Sequence, residues 1–243
     1  MSRREFFYAA PAQITDDSAV LLGEEHDHCT RVLRNVSGDR ITIVDGDGHA
    51  FDGLIDTVER SRTTVRLLAR HEHLGEPKVH LTLAQAVPKG QRFDWLVEKG
   101  TEIGISAFLP LRCERSEAIT AEARLERWQR LALAAMKQSC RSVCPKIGAE
   151  RSFTEVCDSV ASYAFVLMAH EGAGVLGEKL SSFRGLSVRG LIMIGPEGGF
   201  TEAELERARN SPVRLFSLGP RRLRAETAGL VAATAVLAAL GEL

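Results

Sequence analysis

Hydrophobic and polar positions along this chain follow two different rhythms, and the change between them falls near residue 74. In the first seventy residues, short apolar or alternating runs succeed one another at strand length: "REFFYA", "AVLL", "DRITIVDGDGHAFDGLIDTV" and "RTTVRLL". Turn residues separate them, and "DGDG" at 45–48 is a strong hairpin connection. Between the second and third runs, "EEHDHCTRVLRNVSGD" predicts a brief helix bearing Arg31 and Arg34. Short strands at this spacing predict a small β-barrel. The polar stretch "RHEHLGEP", 70–77, holds Gly and Pro and is the expected linker.

Beyond the linker, apolar runs at 79–87, 107–111, 163–169, 190–194 and 213–218 alternate with helical patterns at 91–103, 122–141, 202–210 and 226–240. Strand–helix alternation of this kind predicts a mainly parallel sheet covered by helices. Thr201 with Glu204 three residues on forms a capping box for the helix at 202. The last helix is Ala-rich and apolar on nearly every side, so it is expected to be wrapped in core or pressed against a second subunit.

Composition adds bounds. At 243 residues, 44% hydrophobic and 26% charged, the chain can bury a real core. Net charge is −1; residues 1–73 carry 9 Lys/Arg against 13 Asp/Glu, and residues 74–243 carry 22 against 19. Any nucleic-acid site must therefore be a local patch. Five cysteines (29, 113, 140, 144, 157), with no signal peptide ahead of them, favour reduced thiols in the cytoplasm. Cys140 and Cys144 in "CRSVC" lack a second pair at metal-ligand spacing, and "HDHC" at 26–29 lacks partners too, so no metal site is expected. The most apolar segment, "GLVAATAVLAAL", has 12 residues, short of the ~20 that span a membrane. A soluble cytoplasmic protein is expected.

In a parallel α/β sheet, ligands sit beyond the C-terminal strand ends. Three loops leave such ends here: "MAHEGAG" (168–174), "GPEGGFT" (195–201) and "LGPRRLRAET" (218–227), each combining glycine with charge. Gly198 and Gly199 before a capped helix allow close backbone approach to a ligand and leave N–H groups pointing at it. G-x-G-x-x-G and Gly-Lys-Ser/Thr are both absent, and Glu197 would repel a phosphate, so a cationic or polar ligand suits that loop. Read alone, it could equally be a tight β–α turn with a solvated glutamate. The third loop concentrates Arg221, Arg222 and Arg224 at a strand end, where arginine suits a phosphate or a developing anion.

These residues carry a family resemblance. "GPEGGFTEAE" followed by "LGPRRLRAETA" resembles the paired signature of the RsmE family, SPOUT-class methyltransferases that methylate N3 of a uridine in small-subunit ribosomal RNA. "PKGQRFDWLVEKGTEIGISAFLPLRCERS" (88–116) resembles a second family segment through Lys89, Lys99, Glu102, Gly104, Pro110 and Arg115. "KQSCRSVCPKI" (137–147) resembles a third through Gln138, Ser139, Arg141 and Pro145, and "HCTRVLRNVSGD" an N-terminal one. Coverage is nearly the whole chain. Lys137 stands where the family usually has Glu, Ile103 where it has Leu, and Ala225 where it has Thr; the first puts in doubt any carboxylate role at that place.

The resemblance implies an α/β fold with a trefoil-knotted SPOUT domain over 74–243 and a PUA-like RNA-binding β-barrel over 1–73. It implies S-adenosylmethionine as methyl donor, 16S ribosomal RNA in the assembled small subunit as substrate, and a homodimer. Uracil N3 carries a proton at neutral pH, so a guanidinium (Arg221 or Arg224) would favour the anion. Glu226 is the first candidate base and Glu197 the second. Gly195, Gly198, Leu218 and Gly219, with Pro196, Ile194, Met168 and Leu223, would frame the donor. Arg31, Arg34, Lys89, Lys99, Arg115 and Arg141 are candidate RNA contacts. A SPOUT enzyme acting on a ribose 2′-hydroxyl or a tRNA base, or a non-catalytic RNA-binding protein, would keep the same loops.

Overall fold

The computed structural model describes residues 5–117, 122–174 and 180–243. Contacts divide the chain into two compact units, Met1–Glu76 with Leu133–Cys144, and Pro77–Ala132 with Pro145–Leu243.

In the first unit, alternating apolar residues build β1 (Phe6–Tyr8), β2 (Ser18–Leu22), β3 (Arg40–Val44), β4 (His49–Val58) and β5 (Arg62–Glu72). They form one sheet in the order β1-β3-β4-β5-β2, with β1 and β2 as its edges. Register shifts at Asp52/Gly53 and Ile55/Thr57 mark irregularities of the kind that bend a strand, and the sheet curls. Its inward residues, among them Phe7, Leu21, Ile43, Ile55 and Val65, are sealed from water. The predicted hairpin at 45–48 is present: Asp45 Oδ1 accepts the N–H groups of Asp47 (2.8 Å) and His49 (3.0 Å), while Gly46 and Gly48 take positive φ. The predicted brief helix is α1 (Gly23–Asp27), continued by one wide π-type turn through His28–Val32.

Two boundaries differ from the sequence expectation. β5 continues through Glu72, so residues 70–72 of the expected linker are strand; Arg70 pairs with Glu72 there at 2.7 Å. And residues 133–144 belong with the N-terminal unit, an excursion that a single boundary at 73/74 does not describe. The anchor is Glu76, whose carboxylate accepts Arg141 Nη2 (2.6 Å) and Nε together with the N–H groups of Ser142 (3.0 Å) and Val143 (2.9 Å). Charge patterning could not reveal this, because the partners lie 65 residues apart.

The second unit holds β6 (His80–Ala86), α2 (Arg92–Glu102), β7 (Ala107–Arg112), the start of α3 (Glu122–Gln138), β8 (Lys146–Ile147), β9 (Arg151–Ser152), α4 (Phe153–Asp158), β10 (Phe165–Ala169), β11 (Arg189–Ile194), α5 (Glu202–Arg209), β12 (Val213–Phe216) and α6 (Ala225–Leu240). The strand order is β12-β10-β11-β6-β7-β8, with β9 also on β7, and the pairings are parallel. The predicted parallel sheet with covering helices is therefore the architecture found. β8, β9 and α4 are too short to show a periodicity. α3 stops at Gln138, not at 141, and Cys140 just beyond takes a positive φ of 60°. α6 packs against α2, β6 and β11. No helix among the described residues is long and apolar enough to cross a membrane.

Candidate active site

Because the strands are parallel, the chain leaves β6, β7, β10, β11 and β12 on the same edge of the sheet, and the loops there meet. The loop after β10 is tied to the one after β12: the Ser217 N–H donates to Gly174 O (3.0 Å) and the His170 N–H to Phe216 O (2.9 Å). The loop after β11 is tied to β7 by Glu204, which is 8% exposed. Its Oε1 accepts the Glu114 N–H (2.9 Å) while Oε2 accepts the Thr201 N–H (2.8 Å), so the predicted capping box also joins two strand-end loops. Arg115 Nη1 donates to Gly198 O at 2.7 Å, clamping the Gly-Pro-Glu-Gly-Gly turn from outside. Within that turn, a Cβ at Gly195 would lie 2.9 Å from the Phe200 ring, so glycine is needed for the ring to fold under it.

The two candidate bases stand on either side of one cation. Arg92 Nη1 lies 3.4 Å from Glu197 Oε1, and its Nε lies 3.9 Å from Glu226 Oε1. Glu197 is exposed, whereas Glu226 is 7% exposed and its Oε2 has no hydrogen-bond partner among the described residues. Such an orphaned buried oxygen is costly, about 1–3 kcal/mol. Arg221, Arg222 and Arg224 are all exposed on the last loop. Arg224 is extended at the head of α6, and its carbonyl accepts the Ala228 N–H at 2.8 Å.

Of the candidate donor contacts, Gly195, Pro196, Gly198, Leu218, Gly219 and Leu223 lie on the loops at partly or fully exposed positions. Gly219 takes a φ of 96° with open space where a Cβ would stand, a conformation suited to close backbone approach. Met168 and Ile194 differ: they are 0% and 3% exposed in the strands beneath, so they form the floor of the loops and not their surface.

The candidate RNA contacts separate more sharply. Arg141 is a correction: its guanidinium is 2% exposed and committed to Glu76, so it holds the N-terminal unit together and does not face a phosphate. Arg115 positions the 195–201 loop. Lys89 pairs with Glu117 at the end of the β6 loop. Lys99 lies at the far end of α2 between Glu102 (2.7 Å) and Glu98 (2.8 Å), and those hydrogen bonds push its ammonium up to about 12. Arg31, 3.3 Å from Asp27, and Arg34, at a φ of 60°, belong to the N-terminal unit. Lys137 pairs with Glu25, which also accepts the Tyr8 N–H, so the departure from the family pattern has a structural partner.

Two residues of this region escape a reading of loops. Arg92 follows a fourth strand-end loop, 87–91, as the first residue of α2. Gln85 is the single polar residue in the run "LAQAV", and a polar side chain inside a buried strand at the ligand edge was the available signal. Three of the thiols are poor nucleophiles: burial raises Cys113 strongly, Cys157 to about 11, and Cys29 above its usual range.

Residues 75–237 match the family described as RNA methyltransferase domain. The chain is 32% identical to ribosomal RNA small subunit methyltransferase E of Bacillus subtilis, over 89% of this chain and 88% of that one. It is 32% identical to the protein of the same name from Synechocystis, over 95% and 76%. Among solved structures, ribosomal RNA small subunit methyltransferase E from Neisseria gonorrhoeae bound to S-adenosyl methionine superposes with a TM-score of 0.84 at 30% identity, covering 97% of this chain and 98% of that one.

Proposed function

This chain belongs to the ribosomal RNA small subunit methyltransferase E family, and we propose that it transfers a methyl group from S-adenosylmethionine to N3 of a uridine in 16S ribosomal RNA. The observation that carries the reading is the placement of a buried carboxylate, Glu226, beside Arg92 and under an arginine-rich loop at the ligand edge of a parallel sheet.

The residues fit such a donor. Gly199 and Gly219 have positive φ and open space beside them, and Glu226 Oε2 is an orphaned acceptor at the head of α6. Gly195, Pro196, Gly198, Leu218, Gly219 and Leu223 would hold the donor, with Met168 and Ile194 as floor. Bound there, S-adenosylmethionine supplies an electrophilic methyl carbon on a sulfonium. The chain's own work is orientation and proton removal. Glu226 would accept the N3 proton and so leave the nitrogen's electron pair free to take the methyl group that the sulfonium would give up. Arg221 or Arg224 offsets the charge that develops on the uracil. Glu197, exposed and paired with Arg92, is the second candidate base.

N3 lies on the Watson–Crick edge, so the uridine must be unpaired or extruded before reaction. The assembled small subunit as substrate, Arg31, Arg34 and Lys89 as phosphate contacts, and the trefoil threading of the last segment belong to the same reading. So does a homodimer, supported by the apolar α6, on which Val231 is 39% exposed. Calorimetric titration with S-adenosylmethionine tests the donor site: saturable binding at one site per chain is expected, and no heat of binding by folded protein overturns the reading.

A further inference from the structure

Gln85 is the next-to-last residue of β6 and is 0% exposed, yet neither its Oε1 nor its Nε2 has a hydrogen-bond partner among the described residues. α6 comes down on it at Gly229, where a Cβ would lie 2.1 Å from Gln85 Oε1 and 3.1 Å from Leu96. That glycine costs an α-helix roughly 1 kcal/mol against alanine, so the close approach to Gln85 is what it provides. Glu226 lies one turn earlier on α6, three residues away and on the same face. It is the other buried residue here with an orphaned oxygen. Arg92 and Leu96, one turn apart on α2, flank Glu226 and Gly229 in turn.

Two orphaned atoms on Gln85 of β6 and a third on Glu226 of α6 form a costly arrangement, and leucine at position 85 would remove two of the three. A carboxamide can both donate and accept without carrying charge. It can donate Nε2–H to an ionised carboxylate, and it can accept O–H from the same group once protonated. We propose that Gln85 is a positioning residue for Glu226, turning its amide to serve whichever protonation state the carboxylate holds during methyl transfer. This rests on Glu226 as the base in the methyl-transfer reading; Gln85 itself, sealed beneath Gly229, touches neither RNA nor donor.

The test compares Gln85→Met, close in volume, with wild type. In ligand-free protein the urea midpoint should be unchanged or higher, because buried unpaired polar atoms are removed. Turnover should fall at least about tenfold, with KM for the donor within about twofold, since a hydrogen bond to a charged group is lost. A lower urea midpoint with kcat unchanged would make Gln85 a packing residue and overturn the inference. Should wild type bind no donor and transfer no methyl, the methyl-transfer reading fails instead. In active protein, single-turnover rates of Gln85→Met, Glu226→Gln and the double variant decide the pairing: non-additive losses support it and additive losses overturn it.

Discussion

Arg92 and Glu197 meet across two strand-end loops that are 105 residues apart in sequence, with the arginine Nη1 3.4 Å from the glutamate Oε1. The same guanidinium stands 3.9 Å from Glu226, so one exposed cation bridges the turn after β11 and the first turn of α6. Exposed pairs of this kind contribute about 0–1 kcal/mol to stability. What they fix is the position of a cation between the two candidate bases.

Replacing Arg92 by Ala should therefore leave the urea midpoint almost unmoved and lower turnover by about ten- to a hundredfold, through a misplaced Glu226. Parallel unfolding curves and single-turnover methyl transfer check both halves. An unfolding shift as large as the activity loss would make Arg92 a structural residue.

Arg221→Ala should cut turnover by about 10²–10³-fold, the usual cost of removing a donor aimed at developing charge. Arg221 is exposed, so folding should be unaffected. Turnover at the wild-type rate in purified Arg221→Ala protein would move the role to Arg224, whose variant is measured in the same assay.

Arg141 and Glu76 should behave in the opposite way. The pair is buried, at 2% and 7% side-chain exposure. Arg141→Ala strands a buried carboxylate and should destabilise the N-terminal unit by about 3–5 kcal/mol. Denaturant unfolding followed by hydrogen exchange of residues 133–144 checks this, while donor affinity should hold as long as the protein is folded.

Alkaline pH should destabilise the protein through Cys157. Burial raises this thiol to about 11, chiefly by desolvation, with Arg207 opposing and Asp158 adding to it. The unfolded chain therefore releases its proton first. The thiol's contribution is complete below about pH 9 and is lost as pH rises from there to about 11, at up to about 1.4 kcal/mol per pH unit. Urea midpoints measured across that range under reducing conditions should fall, and less steeply in Cys157→Ala.

Much of this was legible in the sequence because local chemistry decided it. The alternation around "DGDG", the Thr201–Glu204 box and the glycine-rich turn after β11 are each determined by neighbours within a few residues, and each stands where the pattern put it. What the pattern could not carry was pairing at a distance. Arg141 looks like any basic residue until Glu76, 65 positions away, buries it. Met168 lies near a strand end, and its position in β10 turns it into the core with Met193 and Phe200, beneath the loops. Arg92 and Gln85 gain meaning only when α6 returns to β6 and α2, the longest-range packing of the sheet.

The most direct measurement of the central claim is methyl transfer from labelled S-adenosylmethionine to small ribosomal subunits lacking the modification, with the product nucleoside identified by mass spectrometry. Label is expected in 3-methyluridine, abolished or strongly reduced in Glu226→Gln. Label on a ribose hydroxyl or another base atom, or no transfer by protein that binds the donor, would contradict it.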